Sequence, residues 1–199
     1  NNSYLIESSG INTDDYLLKN NFNDNKKIIF AGRLLKDKGI DDYIKLSNNF
    51  SSQNVTFYLA GDLDKGNPNS LTQKELEDLK KISSLNYLGY IDLQKEIHNY
   101  DLLLSLSEHE GFSRVLLEAM YVGLFVVAYQ NNGTEYINNF ENTILLNSKD
   151  IKYLENKINE FLNEKISISN QNRKQISKHY STQYIASQFA KIYKEKSDD

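Results

Sequence analysis

Short apolar runs alternate with stretches of helical periodicity along most of the chain. Six runs rich in β-branched and aromatic residues have the length and composition of buried parallel strands. They lie at Ile28–Ala31, Val55–Ala60, Tyr87–Leu88, Leu102–Leu106, Phe125–Ala128 and Ile144–Leu146. Helical periodicity covers residues 38–50, 72–84, 92–99, 113–122 and 150–164. This alternation predicts an α/β fold, an open parallel sheet of about six strands with helices on both faces, and a ligand site beyond the carboxyl ends of the strands.

The pattern also divides the chain into three parts. Residues 1–25 are polar and rich in Asn and Asp, and we predict a linker that enters the domain. Residues 26–166 form the predicted Rossmann-like domain, and residues 167–199 are predicted to form two C-terminal helices broken near Tyr180–Ser181. The last helix carries an apolar stripe, which packs either on its own domain or on a partner domain outside this chain. The stripe consists of Tyr184, Ile185, Gln188, Phe189, Ile192 and Tyr193.

Composition and charge exclude several classes of protein. The chain has 199 residues, of which 39% are hydrophobic and 25% charged, as in globular proteins, and its formal net charge is −4. Since it lacks a basic excess, no nucleic-acid partner is expected. It has no cysteine, which excludes disulfides and cysteine metal sites, and no apolar run near the roughly 20 residues that span a bilayer. The missing initiator methionine and signal peptide favour a fragment or processed piece of a longer protein.

Two cations follow the first predicted strand. Arg33 and Lys38 flank the start of the next helix, where free backbone N–H groups and the helix dipole attract anions. Arginine offers a bidentate fork and lysine a mobile point charge for phosphate oxygens. The pair therefore indicates a phosphate site, with solvated surface cations as the alternative.

Two glutamates span the junction between the fourth predicted strand and its helix. Glu110 lies in the loop beside Gly111, and Glu118 lies in a helix that is otherwise apolar from Val115 to Val122. A carboxylate in such a helix is costly unless donors reach it, so we expect Glu118 to bind ribose hydroxyls and Glu110 to bind sugar hydroxyls. Gly111 permits a close backbone approach, and the first amides of the helix can hold a phosphate. The alternative for Glu118 is a helical ion pair with Arg114.

Taken together, these segments resemble glycosyltransferase family four over nearly the whole chain. EGFSRVLLEAM from Glu110, GLFVVA from Gly123 and NGTE from Asn132 are similar to that family's E-x7-E signature and the turn that follows it. GR-x4-KG from Gly32 and GINTDDY from Gly10 are similar to its GR-x4-KG and GVDTxxF segments. Three departures from the usual pattern bear on donor specificity rather than on the class, and they are Ser113, Phe125 and Asn132.

The resemblance implies the C-terminal, donor-binding half of a retaining enzyme of the GT-B fold. By that analogy, Arg33 and Lys38 hold the diphosphate of a nucleotide sugar, Glu118 holds the ribose and Glu110 the transferred sugar. Catalysis would rest on Glu110, Arg33 and Lys38, because the cations stabilise the leaving diphosphate, with no metal and no cofactor besides the donor. The remaining implied contacts are the backbone of Gly111 and Phe112 with the sugar, the amides of Val115 and Leu116 with phosphate, and Tyr90 and Ile91 with the base.

The implied reaction is hexosyl transfer, with retention, to a glycan or polyprenyl-diphosphate-linked sugar in bacterial surface-glycan assembly. The long segment 61–72 resembles a loop of family members that often use UDP-galactose or UDP-N-acetylgalactosamine, with a plain solvated loop as the alternative. The D-x-D pattern at Asp62–Asp64 is interpreted as a strand end rather than a metal site. The acceptor would bind an N-terminal domain outside this chain, so the chain alone is expected to be inactive.

The implied location is the cytoplasm, with peripheral association at the inner face of the membrane as an option for the full protein. Two other functions remain open. A nucleotide-binding module without turnover would share these residues. A dinucleotide-dependent oxidoreductase would need G-x-G-x-x-G after the first strand, where this chain has Ala-Gly-Arg-Leu-Leu-Lys from Ala31.

Overall fold

The computed structural model describes residues 10–147 and 149–197, and its elements alternate as the sequence predicts. The strands are β1 Lys26–Ala31, β2 Val55–Ala60, β3 Leu85–Gly89, β4 Leu102–Ser105, β5 Phe125–Tyr129 and β6 Thr143–Leu146. The helices are α1 Ile40–Asn49, α2 Gln73–Leu79, α3 Leu93–Glu96, α4 Arg114–Val122, α5 Ile151–Asn163, α6 Asn170–His179 and α7 Thr182–Ser197. Short 3-10 helices lie at Thr13–Asp15, Lys36–Lys38, Ile97–Asn99 and Glu135–Asn139.

All six strands form one parallel sheet in the order β3-β2-β1-β4-β5-β6. Successive residues of a strand face opposite sides, so Ile28 and Phe30 join one apolar cluster and Ile29 the other. Helices α1, α2 and α5 cover the first cluster, and α4 and α6 cover the second. The predicted open sheet with helices on both faces is confirmed.

Two predicted boundaries are corrected. The helix predicted over residues 72–84 ends at Leu79, and β3 begins at Leu85 rather than Tyr87. The start of α2 is set by a capping box, in which Thr72 accepts a hydrogen bond from the Glu75 amide and donates its own amide to the Glu75 carboxylate. β3 lies at the sheet edge, where residues alternate between buried and more exposed positions, so its hydrophobic run is interrupted.

The described part of the predicted linker, from Gly10 onward, packs on the domain. The Ile11 amide donates to the Tyr180 carbonyl and the Thr182 amide to the Ile11 carbonyl, each at 2.9 Å, which makes a parallel bridge between Ile11 and Ser181. Further along, the buried Lys19 ammonium lies 2.9 Å from the Asp101 carboxylate at the start of β4. The division of the chain at residues 25 and 166 stays a prediction.

The two predicted C-terminal helices are present and break at Tyr180–Ser181. Along the apolar stripe of α7, Ile185 is buried, whereas Phe189 and Tyr193 are exposed. Among the described residues, no helix combines the length and apolar character needed to cross a membrane.

Candidate functional site

The predicted site residues meet where the strand order of the sheet reverses. β1 and β4 are neighbours in the sheet although β2 and β3 lie between them in the sequence, and a crevice opens beyond the carboxyl ends of β1 and β4. Arg33 and Lys38 follow β1, and Glu110 and Glu118 follow β4. The fold therefore brings two distant parts of the sequence to one edge of the sheet.

Lys38 and Glu110, which were predicted to bind different parts of a ligand, contact each other. The Lys38 Nζ lies 2.7 Å from the Glu110 Oε1, and it also donates to the Ser107 hydroxyl at 3.2 Å and the His109 carbonyl at 3.3 Å. Both side chains of the pair are about one-fifth exposed. Lys38 is thus held over the end of β4 in a partly desolvated position, where electrostatic interactions are stronger than in water.

Two glycines allow this close approach. Gly39 has a φ of 74°, and a Cβ there would collide with the carbonyl of Leu106, so α1 starts directly against the end of β4. Gly133 packs under the loop that carries Glu110, and a Cβ there would collide with the Glu110 carbonyl. Backbone contact on both sides fixes the separation of Lys38 and Glu110.

Arg33 has a partner that the sequence did not predict. The Arg33 Nη1 lies 2.6 Å from the Asp64 Oδ2, and the same oxygen accepts a hydrogen bond from the side-chain Nδ2 of Asn67 at 2.9 Å. The Asn67 hydrogen bond, followed by the Arg33 guanidinium, lowers the pKa of the Asp64 carboxyl. The second aspartate of the D-x-D pattern therefore faces a guanidinium, and in the described part of the chain no group of three His, Asp or Glu residues is placed to hold a metal ion.

The loop of residues 61–72 lies along the segment that carries Arg33. The Leu34 amide donates to the Asp62 carbonyl at 3.1 Å, and the Leu71 amide donates to the Leu34 carbonyl at 2.9 Å. The Lys36 amide donates to the Asn69 carbonyl at 2.9 Å. These backbone contacts hold Asp64 beside Arg33.

An apolar cleft of about 400 Å³ opens beside Arg33. It is lined by the ends of β1 and β2, by the segment after β3, and by Val115 at the start of α4. Tyr90 at its mouth is 81% exposed, and Ile91 lies deeper. An apolar cleft with a cation at its rim suits a flat ring attached to a charged group.

Glu118 is a buried carboxylate in α4. Its residue is 7% exposed, and its Oε1 accepts a hydrogen bond from the Arg114 Nη2 at 3.2 Å. The helical pair named as the alternative is therefore present, yet the Arg114 side chain is 53% exposed while Glu118 is desolvated. Burial raises the pKa of Glu118, and the Tyr16 hydroxyl and Arg114 oppose that effect.

The first turn of α4 is approached by an aromatic cluster. The ring of Phe112 stacks on Tyr136 with centroids 4.5 Å apart, and the Tyr136 hydroxyl donates to the Ser113 carbonyl at 2.7 Å. Ser113 precedes the helix without a side-chain cap. Leu116 is fully buried as a whole residue, and the contact of its amide with phosphate stays a prediction.

A parallel sheet with this strand order and helices on both faces defines a Rossmann-like domain. Residues 13–181 match the family model described as glycosyl transferases group 1. The chain belongs to this family. The prediction of family and of the Rossmann-like GT-B architecture is thereby confirmed, while the roles of the individual site residues stay predictions.

Related proteins are similar to this chain in sequence or in fold. The capsular polysaccharide biosynthesis glycosyltransferase CapM of Staphylococcus aureus is 25% identical over 202 residues, covering 94% of this chain and 53% of that protein. The sucrose-phosphate synthase structure from Thermosynechococcus elongatus gives a TM-score of 0.79 at 20% identity, over 94% of this chain and 51% of that one. The Anabaena Alr3699/HepE structure in complex with UDP and glucose gives 0.75 at 22% identity, over 93% and 55%. The chain spans about half the length of the curated relatives it matches.

Proposed function

We propose that this chain binds a nucleotide diphosphate sugar and is the donor-binding half of a retaining hexosyltransferase. The observation that supports this function is that Arg33, Lys38, Glu110 and Glu118 all follow β1 or β4, where the strand order reverses. Arg33 lines the apolar cleft, and Lys38 and Glu110 line a small cavity that shares Ala31, Gly32 and Val115 with that cleft. The donor is a UDP-hexose, with galactose or N-acetylgalactosamine as candidate sugars. A fold neighbour solved with UDP and glucose supports a UDP-hexose as the donor. A relative named for capsular polysaccharide biosynthesis supports a glycan as the product.

The donor would occupy the crevice from base to sugar. The base lies in the cleft against Tyr90 and Ile91, and the ribose hydroxyls donate to Glu118. The diphosphate lies between Arg33, Lys38 and the first amides of α4, where free N–H groups favour an anion. No metal is required in this proposal, because the cations and the helix terminus supply the positive charge.

Binding would exchange ion-pair partners. In the structure each cation is already paired, Arg33 with Asp64 and Lys38 with Glu110. A diphosphate carries more negative charge than either carboxylate, so it can take over both cations. The Glu110 carboxylate released from Lys38 then becomes available to the hydroxyls of the sugar.

Catalysis would follow from charge that develops on the leaving group. As the bond between the anomeric carbon and the diphosphate oxygen breaks, negative charge grows on that oxygen, and Arg33 and Lys38 stabilise it. A diphosphate leaves without being protonated, so Glu110 orients the sugar instead of acting as an acid. A new bond forms between the anomeric carbon and an acceptor hydroxyl oxygen, whose proton passes to solvent.

The acceptor would bind a domain outside this chain. We propose a glycan or polyprenyl-diphosphate-linked sugar in bacterial surface-polysaccharide assembly, with no transfer activity for the isolated chain. Nucleotide sugars are made in the cytoplasm, so the enzyme is placed there, at the inner face of the membrane when its acceptor is lipid-linked.

Calorimetric titration with UDP in the presence of a chelator tests the phosphate site. Replacing Arg33 or Lys38 with alanine should weaken binding by about 1–3 kcal/mol, the range of a charge-assisted contact. Lys36→Ala is the matched control, because Lys36 lies in the same 3-10 helix but pairs with Glu75. Its UDP affinity should equal that of the wild type.

Two results would contradict the assignment. One is equal UDP affinity for the wild type, Arg33→Ala and Lys38→Ala. The other comes from Glu110→Gln, which removes the partner of Lys38 but no proposed phosphate ligand. This variant should bind UDP as well as the wild type or better and lose affinity for UDP-galactose, so a large loss of UDP binding would remove Glu110 from the sugar site.

A further inference from the structure

The Tyr16 hydroxyl is buried without a complete hydrogen bond. Tyr16 follows the 3-10 helix Thr13–Asp15, and its ring meets the ring of Tyr121 edge-on with centroids 6.0 Å apart. In the described part of the chain, no atom satisfies hydrogen-bond geometry with its oxygen. A buried hydroxyl in this state has lost its water and costs free energy, so its position calls for an acceptor.

The Glu118 carboxylate is the candidate acceptor, because Tyr121, whose ring Tyr16 contacts, lies three residues after Glu118 in α4. Interaction with the Tyr16 hydroxyl lowers the pKa of Glu118, and the negative charge of Glu118 adds to burial in raising the pKa of Tyr16. The two groups thus interact although their geometry falls short of a full hydrogen bond.

The other groups that face Glu118 do not replace this donor. Arg114, on the same helix, is half exposed and occupies the Oε1. The Tyr136 hydroxyl, from the 3-10 helix after β5, already donates to the Ser113 carbonyl. Gln94 of α3 lies beside the Tyr16 hydroxyl rather than the carboxylate. Tyr16 is therefore the remaining buried donor for Glu118 among the groups that interact with it.

We propose that Tyr16 is a positioning residue for the ribose site, donating its hydroxyl to Glu118 and holding the carboxylate toward the ribose. This inference rests on the proposed function, in which Glu118 accepts hydrogen bonds from the ribose hydroxyls. An ionised carboxylate has about four lone-pair sites, so Arg114, Tyr16 and two ribose hydroxyls can be accepted together. The N-terminal segment thereby contributes to a site formed by the sheet edge and α4.

Tyr16→Phe tests the proposal because it keeps the ring and removes only the hydroxyl. UDP and 2′-deoxy-UDP are titrated by calorimetry into the wild type and the variant. UDP affinity should fall about fivefold, the scale of one hydrogen bond, and 2′-deoxy-UDP affinity should fall less. A purely structural role for Tyr16 would weaken both nucleotides equally.

The pH profile of UDP binding provides a second readout. Without the hydroxyl, the pKa of Glu118 rises further, so the loss of binding on acidification should have its midpoint at a higher pH in Tyr16→Phe. The titration of UDP itself is common to both proteins and cancels in the comparison. Tyr121→Phe is the matched control, since it removes a hydroxyl from the neighbouring ring, and it should leave both readouts unchanged.

The outcomes separate this inference from the function on which it rests. Absence of UDP binding by the wild type, or unchanged affinity in Glu118→Gln, overturns the proposed function. UDP binding that weakens in Glu118→Gln, with an unchanged nucleotide ratio and midpoint in Tyr16→Phe, overturns the positioning role alone. If Tyr16→Phe does not fold, 3-fluorotyrosine at position 16 retains a more acidic hydroxyl, which should move the midpoint to lower pH, and an unmoved midpoint overturns the role.

Discussion

At the scale of the residue, we expect Glu118 to lower the stability of the folded protein. Its carboxylate is desolvated, and its ion-pair partner Arg114 is half exposed, so the pair recovers only part of the desolvation cost. Burial accordingly raises the pKa of Glu118. A residue that is costly without ligand and useful with it is typical of a binding site.

Glu118→Gln should therefore change stability and binding in opposite directions. Denaturant unfolding at neutral pH should show the variant equal to the wild type or more stable by an amount on the order of 1 kcal/mol, while UDP titration shows weaker binding. The folded-state pKa of Glu118 lies above its unfolded value, so the wild type should lose stability relative to the variant as the pH rises from the unfolded pKa through the folded pKa. A variant that is less stable at neutral pH and binds UDP normally would contradict both roles.

The site residues differ in how far the sequence predicted them. Arg33, Lys38, Glu110 and Glu118 could be identified because each stands at a strand–helix junction within a recognisable pattern. The pairing of Arg33 with Asp64 and of Lys38 with Glu110 could not be predicted, because it depends on how distant loops pack against the strand ends, whereas the Arg114 partner of Glu118 follows from helical spacing. The sequence does indicate that Asp64 lies near Arg33, because Asp64 follows β2, Arg33 follows β1, and parallel strands end at the same edge of the sheet.

At the scale of the element, periodicity located all six strands and all seven helices of the described residues. Central strands such as β4 and β5 are buried on both faces, so their continuous apolar runs stand out. The edge strand β3 was shortened by two residues at its start because Asn86 interrupts the run. A run of apolar residues identifies a strand that is buried on both faces, and it identifies a half-buried edge strand less well.

The start of α1 offers a test of how tightly elements are joined at the site. Gly39→Ala combines an unfavourable φ with a collision against the Leu106 backbone, so denaturant unfolding should show a loss of about 2–4 kcal/mol. Gly66→Ala is the matched control, because Gly66 also has a positive φ of 90° but open space around the added Cβ. Its loss should be about 1 kcal/mol, and equal losses in the two variants would show that the approach of α1 to β4 is loose.

At the scale of the whole molecule, a buried ion pair ties the N-terminal segment to the sheet. The Asp101 carboxylate also accepts hydrogen bonds from the Asn23 amide and the Lys27 amide, both at 2.8 Å, in addition to the Lys19 ammonium. We predicted a linker over residues 1–25 because these residues are polar, and the sequence does not show that polar residues such as Lys19 and Asn23 pair with Asp101. Packing of residues 10–25 follows from these long-range contacts.

Lys19→Met should leave the Asp101 charge buried with no cation beside it. The expected loss in the free energy of unfolding is about 3 kcal/mol, with faster hydrogen exchange at residues 10–25. Lys95→Met removes a lysine from the exposed pair with Asp92 and should have little effect. Equal stability of the two variants would mean that the Lys19–Asp101 pair adds nothing to the stability of the folded domain.

The bridge between Ile11 and Ser181 also governs how the chain responds to tension. Its two backbone hydrogen bonds join segments that run parallel, one entering the domain and the other leaving toward α7. A pull at Gly10 and at the far end of α7 therefore loads these bonds in shear, the direction in which they must break together rather than one after another. Force applied in this direction acts on the Ile11–Ser181 bridge before it acts on the sheet. We therefore expect tension in the flanking segments to strain this bridge before it strains the crevice at the strand ends.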